Sequence, residues 1–281
     1  MAKSLARTAE SYRVAPGSKL RLARYDPRDT GGLDLSKKEA AVLLATGIEK
    51  LADLQTRLYA QDCWALLIIL QAMDAAGKDS TIKHVMSGVN PQGCQVTSFK
   101  TPSVHELDHD FLWRCVRELP ERGRIGIFNR SHYEEVLVVR VHPEFLAAQR
   151  LPPSLAGKNL WRQRYESIND FERYLSRNGT RIVKFYLNVS KEEQRKRFLE
   201  RLDKPEKNWK FSLRDVIERE RWDDYMRAYE NAISATSTEW APWYVVPADH
   251  KWFTRLVVSD VIGKTLEGLG VDYPPVDAAR K

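Results

Sequence analysis

The stretch Leu70-Gln-Ala-Met-Asp-Ala-Ala-Gly-Lys-Asp-Ser-Thr-Ile82 joins an apolar run to a segment with Ile82, Val85 and Met86 at helical steps. A loop in that place can aim backbone N–H groups and a helix N-terminus at phosphate oxygens while a lysine adds a point charge. Ala75, Ala76, Gly77, Lys78, Asp79, Ser80 and Thr81 are therefore the candidate phosphate cradle. The pattern departs from GxxxxGK[ST] twice, with Ala72 at the first glycine and Asp79 at the hydroxyl that usually meets magnesium. Taken alone, the stretch also fits an ordinary strand-to-helix turn with Lys78 solvated. Asp74 alters that weighing, because a carboxylate in a loop built for anions is costly unless a cation intervenes. Magnesium, with manganese as an alternative, is the expected cofactor, and Asp74 is its first candidate ligand.

A second burst of polar groups, Asn-Arg-Ser-His-Tyr-Glu-Glu135, follows the apolar run Arg124 to Phe128. Ligands of open α/β sheets sit at the carboxyl ends of strands, where these residues would emerge. Asn129 stands where a metal-binding strand would end in Asp, which makes it a weaker candidate ligand, and Glu134 or Glu135 can supply the missing negative charge. Arg130 is the candidate phosphate clamp, since a guanidinium holds two oxygens at once. The alternative for Arg130 is a structural ion pair with Glu134 or Glu135.

Elements that could hold these groups are visible in the periodicity. Ser36 and Glu39 have capping-box spacing, and Leu44, Ile48, Leu51, Leu54 and Leu58 recur at steps of three and four, which predicts a long amphipathic helix. Trp64 to Leu70 is short and β-branched at its centre, as suits a strand buried on both faces. Further strands are expected at Gln95 to Phe99, Arg124 to Phe128, Arg181 to Val189 and Trp243 to Val246. Helices are expected from Ser103 through Leu119, from Leu160 to Leu175, from the Ser190/Glu193 cap, and around Phe253 to Ile262. Five strands alternating with helices predict an α/β fold with a mostly parallel sheet.

Residues 1–35 read as an irregular basic arm without a fold signal, residues 36–270 as one domain, and 271–281 as a tail. The 281 residues carry 45 Lys+Arg against 38 Asp+Glu, a net +7, with 43% hydrophobic residues. Such a composition excludes disorder and collagen-like repeats, and the charge points to an anionic partner. The longest apolar run is far shorter than a bilayer span and no apolar signal core precedes Gly17, so a soluble cytoplasmic protein is expected. Cys63, Cys94 and Cys115 lack paired CxxC spacing, which argues against a disulfide framework or a zinc site. His105 and His109, four apart, are read as surface or packing residues. Asp249, after the last strand, is a candidate nucleotide contact. Asp203 to Arg227, with mixed charges and Trp209 and Trp222, looks like an insertion over a site or a solvated helical hairpin.

Met73-Asp-Ala-Ala-Gly-Lys-Asp79, Phe128-Asn-Arg-Ser-His-Tyr-Glu134 and Val246-Pro-Ala-Asp-His-Lys-Trp252 occur in this order. With these motifs the chain, from roughly Leu20 to Leu269, resembles polyphosphate kinase family 2. That resemblance implies a thymidylate-kinase-like P-loop kinase fold, three layers α/β/α, with a helical lid at about 191–227. It implies transfer of the terminal phosphate of inorganic polyphosphate to nucleoside diphosphates (ADP, or GDP) and monophosphates (AMP), reversibly. Asp74 and Lys78 match the family's metal and phosphate residues, and Arg130 and Ser131, expected with Glu134 to meet the nucleotide, keep the second motif while Asn129 replaces its usual Asp. Glu134 looks like members that accept both mono- and diphosphates. Arg197 and Arg201 match the lid's polyphosphate-binding residues, whereas Glu200 lies where relatives often have lysine. Relatives associate as dimers or tetramers, so a homo-oligomer is expected.

Physical reasoning agrees with this. Phosphoryl transfer asks for alignment and charge stabilisation more than covalent help, and Lys78, Arg130, Arg197 and Arg201 offer the charge. Two competitors stand beside it: an ATP-dependent nucleotide or small-molecule kinase of the same fold, and a nucleic-acid-binding protein whose binding would fall steeply with salt. The main expectation is an enzyme with no nucleic-acid and no membrane partner.

Overall fold

The computed structural model describes residues 9–275. Its single sheet contains β1 (Ala65–Gln71), β2 (Cys94–Ser98), β3 (Ile125–Asn129), β4 (Thr180–Asn188) and β5 (Trp243–Pro247) in the order β2-β3-β1-β4-β5. Every neighbouring pair is parallel. All of β1 is buried, which explains its near-continuous apolar run, and each such side chain contributes about 1.5–3 kcal/mol through burial.

Seven longer helices flank the sheet: α1 (Lys37–Gln61), α2 (Lys78–Val85), α3 (Leu160–Arg177), α4 (Lys191–Asp203), α5 (Leu213–Glu220), α6 (Trp222–Thr236) and α7 (Lys251–Glu267). Strand alternation assigns them to layers. Trp243 and Tyr186 face α6 through Thr236 and Tyr229, while Tyr244 and Val261 of α7 line one cavity on the other side. Helix α1 packs on α7. Three layers result, as expected.

The caps explain several helix starts. Ser36 accepts from the Glu39 N–H, and Glu39 returns the bond to the Ser36 N–H. Ser190 caps α4 through the Glu193 N–H, but the Glu193 carboxylate turns to Arg197 instead of closing the box. The helix expected from Ser103 through Leu119 is split into two short ones, Val104–Leu107 and Trp113–Val116. Asp110 accepts from the Leu112 N–H between them, a local turn that competes with helix continuation.

The basic arm is the larger departure. Its residues from Ala9 onward are built into the domain: Tyr12, Val14, Leu20 and Leu22 are buried. Val14 N–H donates to Trp243 O and Val245 N–H to Tyr12 O, both at 2.9 Å, so the arm covers the free edge of β5. It then runs past α6, where Leu22 N–H meets Glu230, to the carboxyl end of the sheet, where Asp249 N–H donates to Pro27 O. A segment stabilised by tertiary pairing carries no internal periodicity, so its composition alone reads as irregular. Residues 1–8 of the expected arm and 276–281 of the expected tail lie outside the described residues.

Candidate active site

Strands β1 and β3 are in register, with Leu70 opposite Asn129. Their carboxyl ends therefore release the two motifs side by side. After β1, the loop of residues 72–77 turns through Ala75 at φ +61° and Gly77 at φ +111° before α2 begins at Lys78. The left-handed Gly77 is free of the Cβ penalty that another residue would meet there.

Arg197 of α4 explains the shape of this loop. Its Nη1 donates to the carbonyls of Ala75 (3.1 Å) and Ala76 (2.7 Å), its Nη2 to those of Ala248 (2.6 Å) and Asp249 (3.1 Å), and its Nε to Glu193 (2.9 Å). All five donors of the guanidinium are thereby used. Gln194, one turn earlier, donates to Asp74 O at 3.0 Å. The loop carbonyls of Asp74, Ala75 and Ala76 are thereby drawn toward α4.

The sequence placed Arg197 on the polyphosphate. In the structure its guanidinium, 5% exposed, braces the loop of residues 72–77 with every donor on a protein acceptor. Arg201 is pinned to Asp215 of α5 at 3.0 Å and to Lys210 O, joining α4 to the segment above the site. Burial, and then the like charge of Asp74, raise the Asp215 carboxyl above its usual range, with Arg201 opposing.

Lys78 is buried, its Nζ 2.8 Å from Ala72 O. Burial pushes the ammonium down to about 8; the charge of Arg130 adds to this, while Asp74, Glu134 and Asp79 pull the other way. Arg130, at φ +63°, lies between two carboxylates, with Nη2 2.6 Å from Asp74 Oδ1 and Nη1 3.1 Å from Glu134 Oε2. Their charges, Glu134 first, hold its proton more firmly than usual despite burial. The ion pair with Glu134 was the alternative reading of Arg130; it exists together with the approach to Asp74, at a side-chain exposure of 36%.

Asn129 donates to Asp79 Oδ1 at 2.8 Å, and Lys210 reaches Asp79 Oδ2 at 3.5 Å. Burial of Asp79 is outweighed by these partners, which hold its carboxyl below the ordinary range. Ser80 Oγ accepts from Arg255 at 2.9 Å, and Thr81 is buried in the first turn of α2.

Two expected nucleotide contacts are committed elsewhere. Ser131 is 3% exposed, and its Oγ accepts from Gln71 Nε2 and from the Tyr133 N–H, both at 3.1 Å. Asp249 Oδ1 accepts from the Ser190 N–H at 2.8 Å and Oδ2 lies 3.7 Å from Arg28. Both shape the rim of the site. Sequence reasoning missed Gln194, Asp215, Lys210 and Arg255. Gln194, Arg197 and Arg201 form one stripe at steps of three and four, so the first was findable; the other three approach only through tertiary folding.

A metal fits this donor set in a particular way. Among the described residues no three His, Cys, Asp or Glu converge as a metal cage. Asp74 and Glu134 are hard oxygen donors, the type that holds magnesium through one or two carboxylates together with substrate phosphates. The Asn129 amide, assigned with its nitrogen toward Asp79, leaves its Oδ1 as a neutral donor.

A parallel sheet with a Gly-Lys loop after its central strand, and an arginine after the neighbouring strand, defines a P-loop-kinase-like fold. The sequence profile of the family "Polyphosphate kinase 2" matches residues 34–272, and the chain belongs to this family. It is 56% identical over 273 residues, 97% of this chain and 94% of the relative, to an ADP-polyphosphate phosphotransferase of Rhodopseudomonas palustris. A protein of Meiothermus ruber named AMP/ADP-polyphosphate phosphotransferase is 47% identical over 96% of this chain and 97% of its own length. The crystal structure of polyphosphate kinase 2 from Arthrobacter aurescens superposes with a TM-score of 0.88 at 45% identity, covering 96% of this chain and 92% of that one. No helix among the described residues is long and apolar enough to cross a membrane.

Proposed function

We propose that this protein transfers the terminal phosphate of inorganic polyphosphate to nucleoside diphosphates, ADP first, and also to monophosphates such as AMP, reversibly, in the cytoplasm. The observation that carries this is the convergence of Asp74, Lys78, Arg130 and Glu134 at the ends of two in-register strands, in a chain whose relatives over nearly its whole length bear polyphosphate phosphotransferase names. The name of one of those relatives includes both AMP and ADP, which supports the broader acceptor range.

In this reading the loop N–H groups and Lys78 hold the transferred phosphoryl group, and Arg130 exchanges its two separate carboxylate partners for phosphate oxygens that a guanidinium can hold in a bidentate manner. Asp74, with Glu134 and the Asn129 carbonyl oxygen, would hold a divalent cation, for which magnesium is proposed. Bound there, magnesium neutralises phosphate charge and orients the oxygens. Residues 191–227 act as a lid that limits water, held to the domain through Lys210–Asp79 and the Glu218–His142 contact at 2.8 Å and braced within itself by Arg201–Asp215. The active species is proposed to be a homo-oligomer.

The test incubates the pure protein with magnesium, long-chain polyphosphate and either ADP or AMP, and follows new ATP or ADP by chromatography. Production dependent on polyphosphate is expected; none above a Lys78→Ala control would end the proposal. Replacing polyphosphate with ATP tests a conventional kinase.

A further inference from the structure

Behind the second motif lies a group of charged and polar side chains that the chemistry above does not use. The side chains of Lys184 in β4 and Glu172 in α3 have 0% exposure and an Nζ–Oε2 distance of 2.5 Å. Tyr133, also 0% exposed, donates its hydroxyl to Glu172 Oε1 and accepts from Lys184 Nζ, each at 2.8 Å. Lys184 gives its third bond to Thr236 O of α6 at 2.7 Å, so its three donors are used. His132 Nε2 stands 3.4 Å from Glu172 Oε1.

Stability does not account for this arrangement. An ion pair in a core loses several kcal/mol per ion to desolvation, and apolar side chains of similar volume often serve as well or better. The network does fix geometry. It joins β4, α3 and α6 to the short 3₁₀ turn His132–Val136 that carries Glu134 directly after Arg130. Along that turn the directions divide: Arg130 and Glu134 face Asp74 and the phosphate loop, while His132 and Tyr133 enter the network. Arg130 sits at φ +63°, a conformation that a non-glycine residue keeps only when its surroundings over-determine it.

We infer that Tyr133, Glu172 and Lys184 are positioning residues that set Arg130 and Glu134 for phosphoryl transfer. The inference rests on the proposed function for its kinetic arm and on structure alone for its second arm. Tyr133→Phe removes only the hydroxyl joining the turn to the ion pair. It should lower kcat about tenfold, and in an Arg130→Lys background it should lower kcat less than twofold, because a misfitted clamp has little left to lose. Equal fold-losses in both backgrounds would overturn the inference. Glu172→Gln with Lys184→Met, which replaces the pair without leaving a lone charge, should reproduce the tenfold loss while unfolding remains cooperative; wild-type kcat in that variant also overturns it.

Hydrogen exchange supplies the arm that needs no turnover. In Tyr133→Phe the amides of residues 130–136 should exchange at least tenfold faster while those of β1 and α1 are unchanged. Unaltered exchange at 130–136, or uniform acceleration across the chain, sinks the positioning role. Absence of polyphosphate turnover in the unsubstituted protein sinks the proposed function and leaves the exchange result to decide this one.

Discussion

Alkaline pH should disable this site through Lys78 before it harms the fold. An ordinary lysine titrates near about 10.4, whereas burial, followed by the charge of Arg130, brings Lys78 to about 8. Only the ammonium attracts phosphate oxygens, and kcat/KM reports the protonation of the free enzyme. With a value of about 8, the charged fraction falls from roughly 0.9 at pH 7 to roughly 0.1 at pH 9, so kcat/KM for polyphosphate should fall about tenfold over that interval. Phosphate oxygens around Lys78 favour its charged form, so the corresponding limb of kcat should lie at higher pH. Stability has the opposite sign: between about pH 8 and 10.4 the folded state binds fewer protons than the unfolded one, so this group stabilises the fold as pH rises. The assay is initial rate against pH at constant ionic strength and low polyphosphate, with thermal unfolding recorded at each pH. Two substitutions should move the limb in opposite directions: Arg130→Ala upward, by removing a repelling charge, and Asp74→Asn downward, by removing an attracting one. A flat profile to pH 10, or a limb that stays fixed in both variants, refutes the assignment to Lys78.

Three further outcomes follow from the geometry. Arg197→Lys cannot reproduce a fork with five acceptors, so it should lose at least ~2 kcal/mol in urea unfolding as well as most of its turnover; a fully stable variant impaired only for polyphosphate would return Arg197 to the polymer site. Asp74→Asn should lower turnover about 100-fold and raise the divalent-cation requirement while leaving Tm within a few degrees, since its one side-chain ion pair is the part-exposed contact with Arg130; near-full rate would remove Asp74 from the metal site. Glu218→Gln weakens the tie from α5 to His142 and Tyr225, and the ratio of free phosphate release to phosphoryl transfer should rise severalfold. An unchanged ratio would show that this tie does not control water access.

How far the sequence reveals this molecule depends on whether a feature is local. Strands β1, β3, β4 and β5 announce themselves because a doubly covered parallel sheet demands short apolar runs, and the Ser36/Glu39 box marks the start of α1 because its bonds span three residues. The positions of Asp74, Lys78 and Arg130 are legible for the same reason: each closely follows a strand end and its type fits phosphate chemistry. What Arg197 touches is not legible. Helical spacing says that Arg197 and Arg201 share a stripe, yet only the packed structure shows that the stripe faces protein carbonyls. The same holds for Asp249 and Ser131, since a polar side chain at a strand end has the same appearance whether it meets a ligand or a neighbouring N–H. Residues 9–35 were illegible because their partners, Trp243 and Glu230, are more than two hundred positions away.

The placement of Arg130 also explains why acids belong in a basic site. A guanidinium with no partner near Lys78 would depress the lysine further, and burial already acts in that direction. Asp74 and Glu134 counter both effects: they hold the charge of Arg130 and raise the proton affinity of Lys78. In the proposed function, phosphate oxygens would replace the single contacts that Asp74 and Glu134 each make with Arg130, and the released carboxylates are the donors suited to a divalent cation. The exchange would leave each charge with a partner of opposite sign, which limits the reorganisation the protein must undergo during transfer. Removing either acid should therefore damage more than metal binding, because it also alters the two cations proposed to meet the phosphate. For this reason the Asp74→Asn pH profile, in addition to its rate, separates a simple metal ligand from a member of a coupled charge set.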